Sequence, residues 1–91
     1  MEILIIFDEE NNRSVATHED KEIGESTFSP SENVWIIDHT YVDEDYGGQG
    51  VAKRLVEEIV EQARNEEKKL AATCPYALRL FKSGDYDDVV I

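Results

Sequence analysis

The chain has 91 residues, enough for one domain with a modest core and not for two. Hydrophobic residues make up 41% and charged residues 33%, a balance that builds a core and excludes a disordered chain. Nine Lys and Arg against twenty-one Asp and Glu leave a net charge of −12, which argues against a nucleic-acid partner and an anionic membrane surface, and weakly favours a cationic or neutral partner such as an amine.

Residues 3–7 form the longest apolar run, five residues where a membrane span needs about twenty. They read as a short strand, followed by a polar turn over residues 8–12. Residues 14–18 and 23–28 alternate weakly and are separated by the charged Glu19-Asp20-Lys21-Glu22, which makes a hairpin one reading of the pair. Residues 29–33, with Pro30 among them, read as a loop. Val34-Trp35-Ile36-Ile37 opens the strongest strand, β-branched and aromatic, running to Val42. Its near-continuous apolar start predicts a central strand covered on both faces.

The period then changes. Val51, Leu55, Val56, Ile59, Val60 and Ala63 form one stripe of an amphipathic helix, predicted over residues 48–68. Residues 70–74 read as a short strand ending at Cys74, and residues 76–82 as a short helix stopped by Gly84. Residues 86–91 read as an extended tail. A strand, a glycine loop, a helix and a strand make one βαβ unit. The fold class is therefore α/β or α+β, with one parallel pair beside antiparallel strands, in a single domain over residues 1–91. No basic stretch leads into an apolar one near the start, so no signal peptide is expected, and the single Cys74 fits a reducing compartment. A cytoplasmic protein is the expectation. His18, His39 and one cysteine supply no metal site at a usual spacing. The run at residues 3–7 is an exposed edge if it pairs on one side only, and leaves monomer or weak dimer open.

The most informative stretch is Asp43-Glu44-Asp45-Tyr46-Gly47-Gly48-Gln49-Gly50-Val51-Ala52-Lys53-Arg54. Three glycines in four residues lie between a strand and a helix. Glycine permits positive φ and close approach of backbone to a ligand. The first helical N–H groups have no internal partner and, with the helix dipole, attract an anion. Lys53 and Arg54 in the first turn oppose that dipole unless an anion is present. The plain alternative is a flexible turn feeding a helix. The spacing is neither a P-loop nor a dinucleotide-binding glycine pattern, which leaves a short loop for a pyrophosphate.

Gly47-Gly48-Gln49-Gly50-Val51-Ala52 resembles the acetyl-CoA pyrophosphate loop of the GCN5-related N-acetyltransferases, Arg/Gln-x-x-Gly-x-Gly/Ala. Gly50 and Ala52 match, and Gly47 departs where Arg or Gln is usual. Ile37-Asp38-His39-Thr40-Tyr41-Val42, Ala72-Thr73-Cys74-Pro75-Tyr76 and Asp85-Tyr86-Asp87-Asp88-Val89-Val90 are similar to the minimal, YjdJ-like branch of that superfamily. The resemblance covers roughly residues 13–90. It implies an acyl-CoA N-acyltransferase core: a mixed, mostly antiparallel sheet, a long helix after the pyrophosphate loop and a short C-terminal helix. It implies that Tyr41 and Val42 present backbone groups to the pantetheine arm. Gly47, Gly48, Gln49, Gly50, Val51, Ala52 and Lys53 wrap the pyrophosphate. The strands ending at Val42 and Cys74 splay apart around the thioester, and Phe81 packs near the cofactor.

Cys74 is the candidate nucleophile, since a thiol beside a helix N-terminus is activated and the resemblance puts the catalytic candidate there. The alternative is a small buried hydrophobe. His39 is the candidate base for an attacking amine or for Cys74. The alternative is a strand histidine held by a hydrogen bond. Three functions follow: acetyl transfer from acetyl-CoA to an amine, a CoA or acetyl-CoA-binding module without turnover, and a retained fold without the ligand.

Overall fold

The computed structural model describes residues 2–91. Five strands, β1 (Leu4–Asp8), β2 (Arg13–His18), β3 (Lys21–Pro30), β4 (Val34–Val42) and β5 (Lys69–Ala72), accompany two helices, α1 (Val51–Asn65) and α2 (Pro75–Phe81). The strands form one sheet in the order β1-β2-β3-β4-β5. The first three pairings are antiparallel, and β4 with β5 is parallel. The mixed sheet and the βαβ unit follow the expectation, because a parallel pair needs a crossover and α1 supplies it. Among the described residues no helix is long and apolar enough to cross a membrane.

Several boundaries differ from the sequence reading, each for a local reason. The β2–β3 turn shrinks to Glu19 and Asp20, both at positive φ (52° and 67°), the backbone a two-residue hairpin demands. Lys21 and Glu22 are thereby free to join β3. At its other end β3 takes in Ser29 and Pro30, which pair with Ile36 and Trp35. Pro30 is tolerated as the last residue of its strand. The turn that remains is closed by Ser31, whose N–H and hydroxyl both donate to the Val34 carbonyl.

Helix α1 begins at Val51 rather than residue 48, since Gly48 and Gly50 are both left-handed at φ 76°. It ends at Asn65 in a Schellman arrangement. Lys68 N–H donates to Ala63 O, Glu67 N–H donates to Arg64 O, and Glu67 takes φ 57°. Strand β5 stops at Ala72, not Cys74. The next two N–H groups, of Thr73 and Cys74, both turn onto the Ile37 carbonyl. Pro75 opens α2 at the first helical position, where its missing N–H costs nothing. The tail is mostly turn, and Val90 alone makes a parallel bridge, to Leu70.

The α1 stripe packs as the spacing predicts: Leu55, Val56, Ile59 and Ala63 are fully buried. They meet Phe28, Trp35, Ile37 and Leu70 in one cluster and Ile3, Ala16 and Ile23 in a second. The reading of β4 as covered on both faces is corrected. Trp35 and Ile37 are buried under the helix, whereas Asp38 and His39 are exposed. The second face of the sheet carries Leu4, Ile6 and Tyr41, each exposed by more than half. Both the crossover helix and the α2 side chains Ala77 and Phe81 join the same cluster, so among the described residues no helix covers that second face.

Candidate functional site

The glycine loop follows the carboxyl end of β4. Asp43 accepts a hydrogen bond from Asp45 N–H and caps a 3-10 turn over Glu44–Tyr46. Tyr46 is tied down by its hydroxyl, 2.8 Å from His18 Nδ1. The chain then passes through Gly47, Gly48, Gln49 and Gly50, all exposed, into α1. A Cβ built on Gly48 or Gly50 meets nothing within 4 Å. The glycines are required by their left-handed φ, and the space above them is open. At Gly47 the φ of −64° is ordinary, and a Cβ there would lie 3.3 Å from the Glu44 carbonyl. The 3-10 turn thus crowds the one position that departs from the acetyltransferase pattern.

Gly50 is the N-cap of α1 and contributes no side-chain cap, and the first turn holds no acidic residue. Arg54 N–H is the first to close an intrahelical bond, onto Gly50 O. The N–H groups of Val51, Ala52 and Lys53 precede it and point out of the helix start. Val51 turns its side chain into the core, so its N–H is what it offers; Ala52 is half-buried and Lys53 is exposed. Arg54 does not serve this end, because its guanidinium donates to the Ile3 carbonyl at 3.0 Å.

Beside the loop, β4 and β5 part. They pair from Val34 with Lys69 to Ile37 with Ala72, and then β5 ends while β4 continues to Val42. Asp43 N–H donates to Ile23 O on the β3 side. Strand alternation therefore turns the backbone groups of Thr40 and Val42 toward the gap that β5 vacates. The gap, the glycine loop and the start of α1 share one end of the sheet, outside the carboxyl ends of the parallel pair, where α/β sheets bind ligands.

Two candidate side chains lie beside β4 on opposite faces of the sheet. Cys74 is 4% exposed and its Sγ lies 3.5 Å from Thr40 Oγ1. Thr40 Oγ1 is in turn 3.0 Å from Ser26 Oγ. Ser26 pairs with Ser14, whose hydroxyl donates to the Leu55 carbonyl of α1, so this row lies on the helix side of the sheet. His39, next along β4, points to the other side, and its Nε2 is 3.7 Å from Glu25 Oε2. Glu25 also accepts from Arg13 at 2.9 Å, and Arg13 bonds Asp8 and Glu22 as well. Those three carboxylates raise the pKa of Arg13, and Asn11 and Arg13 lower that of Asp8. The expectation that His39 serves Cys74 as its base is corrected by this geometry: one residue of strand alternation separates their faces.

Tyr41 is exposed on the second face with His39, and Val42 is half-buried near the helix. Phe81 is buried, 5.7 Å from Tyr86, in the cluster that also holds Cys74. The sequence reading missed Thr40, Ser26 and Glu25. Thr40 and Ser26 are small hydroxyl residues in strands, and only the register that sets them opposite one another reveals them.

A family model described as GCN5-related N-acetyl-transferase matches residues 13–89. No curated protein matches the chain. Among solved structures, a GCN5-like candidate N-acetyltransferase from Staphylococcus aureus is 35% identical, with 88% of this chain and 81% of that one covered and a TM-score of 0.71. Two more distant structures share the fold. The ribosomal-protein-S18-alanine N-acetyltransferase of Escherichia coli is 18% identical over 80% of this chain and 50% of its own, at TM-score 0.69. A GNAT family acetyltransferase from Elizabethkingia anophelis, with acetyl-CoA bound, is 21% identical over 78% and 50%, at TM-score 0.64. This chain spans half the length of those two.

Proposed function

The chain belongs to the GCN5-related N-acetyltransferase family, and on that premise we propose that it binds acetyl-CoA and passes the acetyl group to an amine. The observation that carries the reading is the pair of left-handed glycines, Gly48 and Gly50, with open space above them at the uncapped start of α1. A pyrophosphate fits there: the N–H groups of Val51, Ala52 and Lys53 donate to it and the Lys53 ammonium neutralises it. Backbone groups of Thr40 and Val42 hold the pantetheine arm along the gap. Bound acetyl-CoA supplies an acetyl group activated as a thioester.

The chain's own residues then divide the work by face. Cys74 holds a sulfur on the helix side of the gap, shielded from bulk water. His39, whose Nε2 lies 3.7 Å from Glu25 Oε2, takes a proton from the ammonium of an amine that approaches over the uncovered face. A backbone N–H on the gap side of β4 polarises the acyl oxygen. The acidic surface attracts a cationic acceptor. A cytoplasmic setting belongs to the same proposal, supported by the single unpaired cysteine.

The second reading, a CoA-binding module without turnover, is favoured by one feature: the uncovered face with exposed Leu4, Ile6 and Tyr41 forms no wall for an acceptor. The test is a residue-resolved NMR titration with acetyl-CoA. Shifts clustered over residues 40–54 and at Cys74 are expected, and shifts that scatter or never appear overturn the ligand assignment. Turnover against a panel of amines then separates the enzyme from the module.

A further inference from the structure

His18 closes β2 and pairs with Lys21 across the two-residue turn of Glu19 and Asp20. Its Nδ1 lies 2.8 Å from the Tyr46 hydroxyl, and the two rings meet edge to face with centroids 5.5 Å apart. Either atom can be the donor, since a neutral imidazole offers Nδ1 as N–H or as acceptor and a phenol does both. Tyr46 also packs against the second core cluster, which holds Val51 and Leu55 of α1. It is the last residue before the glycines. The turn ahead of it is closed by its own bonds, from Asp45 and Tyr46 N–H groups to Asp43 and from Gly47 N–H to Glu44 O. Among the described residues, the bond to His18 is the one side-chain hydrogen bond that joins residues 43–50 to another element.

We propose that His18 is a positioning residue for the glycine loop: through Tyr46 it holds residues 47–50 in the shape that receives the pyrophosphate, and so raises the affinity for CoA. The inference rests on the reading above that this loop takes the pyrophosphate. Gly48 and Gly50 have open space around them, so packing does not fix their conformation. Glycine loses more conformational freedom on ordering than any other residue. A ligand that grips a loose loop bears that loss, and a loop ordered by the fold spares it. The firm end of the link is the β2–β3 hairpin, and the bond spans 28 positions of sequence to reach Tyr46. A histidine that served the hairpin alone would need no partner in the loop.

The experiment measures the Kd for CoA by calorimetry in wild type, His18→Phe, Tyr46→Phe, the double variant and His18→Asn. Phenylalanine keeps a ring and loses the bond at either position, whereas asparagine sets an amide atom where Nδ1 sits. Each Phe variant is expected to bind CoA about fivefold more weakly, the worth of one hydrogen bond. The double variant is expected to bind no more weakly than either single one, because both remove the same link. His18→Asn is expected to stay within about twofold of wild type. In the ligand-free protein, the amide signals of Gly47, Gly48 and Gly50 are expected to move in both Phe variants and to return toward wild type in His18→Asn. Wild-type affinity in the Phe variants overturns the proposal, as do additive losses in the double variant, unmoved glycine signals, or a loss in His18→Asn equal to that in His18→Phe. Should His18→Phe not fold, Tyr46→Phe with wild-type affinity overturns it alone. Wild type that binds CoA beside unaltered variants sinks the role of His18 and leaves the loop assignment standing. Wild type that binds no CoA sinks the loop assignment and the proposal with it.

Discussion

His39 and Cys74 stand on opposite faces of β4, the imidazole beside Glu25 and the thiol beside Thr40, although Thr40 follows His39 directly in the chain. The two groups therefore act independently. His39→Gln is expected to leave the alkylation rate of Cys74 within about twofold of wild type. It is expected to slow acetyl transfer by roughly 10²–10⁴, the usual worth of a general base. Steady-state kinetics and thiol alkylation on the same preparation check both. A His39→Gln protein with unaltered transfer and a slowed thiol would place the histidine in the cysteine's service after all.

Gly48 and Gly50 separate backbone need from ligand need. A side chain at either position meets no atom within 4 Å, so the cost of substitution is the left-handed backbone alone, about 1–2 kcal/mol. Gly50→Val is expected to lower stability by that amount in urea unfolding. Gly50→Asn is expected to lose much less, because asparagine tolerates positive φ and caps helices well. Both variants fill the space assigned to the pyrophosphate, so both are expected to bind CoA weakly by calorimetry. A stable Gly50→Asn that binds CoA like wild type would move the ligand elsewhere.

The long helix and the central strand were legible because each has an unbroken period: Val51 to Ala63 for α1 and Val34 to Val42 for β4. The glycine loop was legible because three glycines in four residues have few other uses. The extent of β3 was not, because Pro30 signals a loop locally and only pairing with Trp35 overrides it. The faces of His39 and Cys74 were not legible either. The pairing shifts between Thr27 and Phe28, so a count of alternating residues from Trp35 assigns His39 to the wrong face. The Ser26–Thr40–Cys74 row joins three separate segments, and no local pattern predicts such a contact.

Leu55 is the keystone of the α1 stripe. It is fully buried and lies so close to β3 that a Cβ on Gly24 would come within 3.3 Å of its Cδ1. Leu55→Ala is expected to cost on the order of 2–5 kcal/mol, since the backbone of Gly24 offers no side chain to refill the space. Leu78, 46% exposed on α2, is the control, and its change to Ala is expected to stay within about 0.5 kcal/mol. Equal losses in chemical denaturation would contradict this division of the apolar residues.

Tyr86 fastens the C-terminal tail to α1. It is 5% exposed, and its hydroxyl donates to Glu57 Oε2 at 2.9 Å. Burial first, and then the bond to the Glu57 carboxylate, push its pKa up to about 12 from the ordinary 10. Both causes favour the neutral phenol, which can donate; the phenolate cannot, and would face a carboxylate. The folded value lies above the unfolded one. The stabilisation is therefore complete below about pH 10 and disappears as pH rises toward about 12. The pKa of Tyr76 is also raised by burial, so the informative quantity is the difference between wild type and Tyr86→Phe. That difference in urea midpoint is expected to favour wild type at neutral pH, where the phenylalanine leaves Glu57 without its donor. It is expected to shrink steadily from about pH 10 upward. A difference that stays constant to pH 12 would mean that the Tyr86 hydroxyl titrates alike in the folded and unfolded chain, and that its bond to Glu57 does not hold the tail.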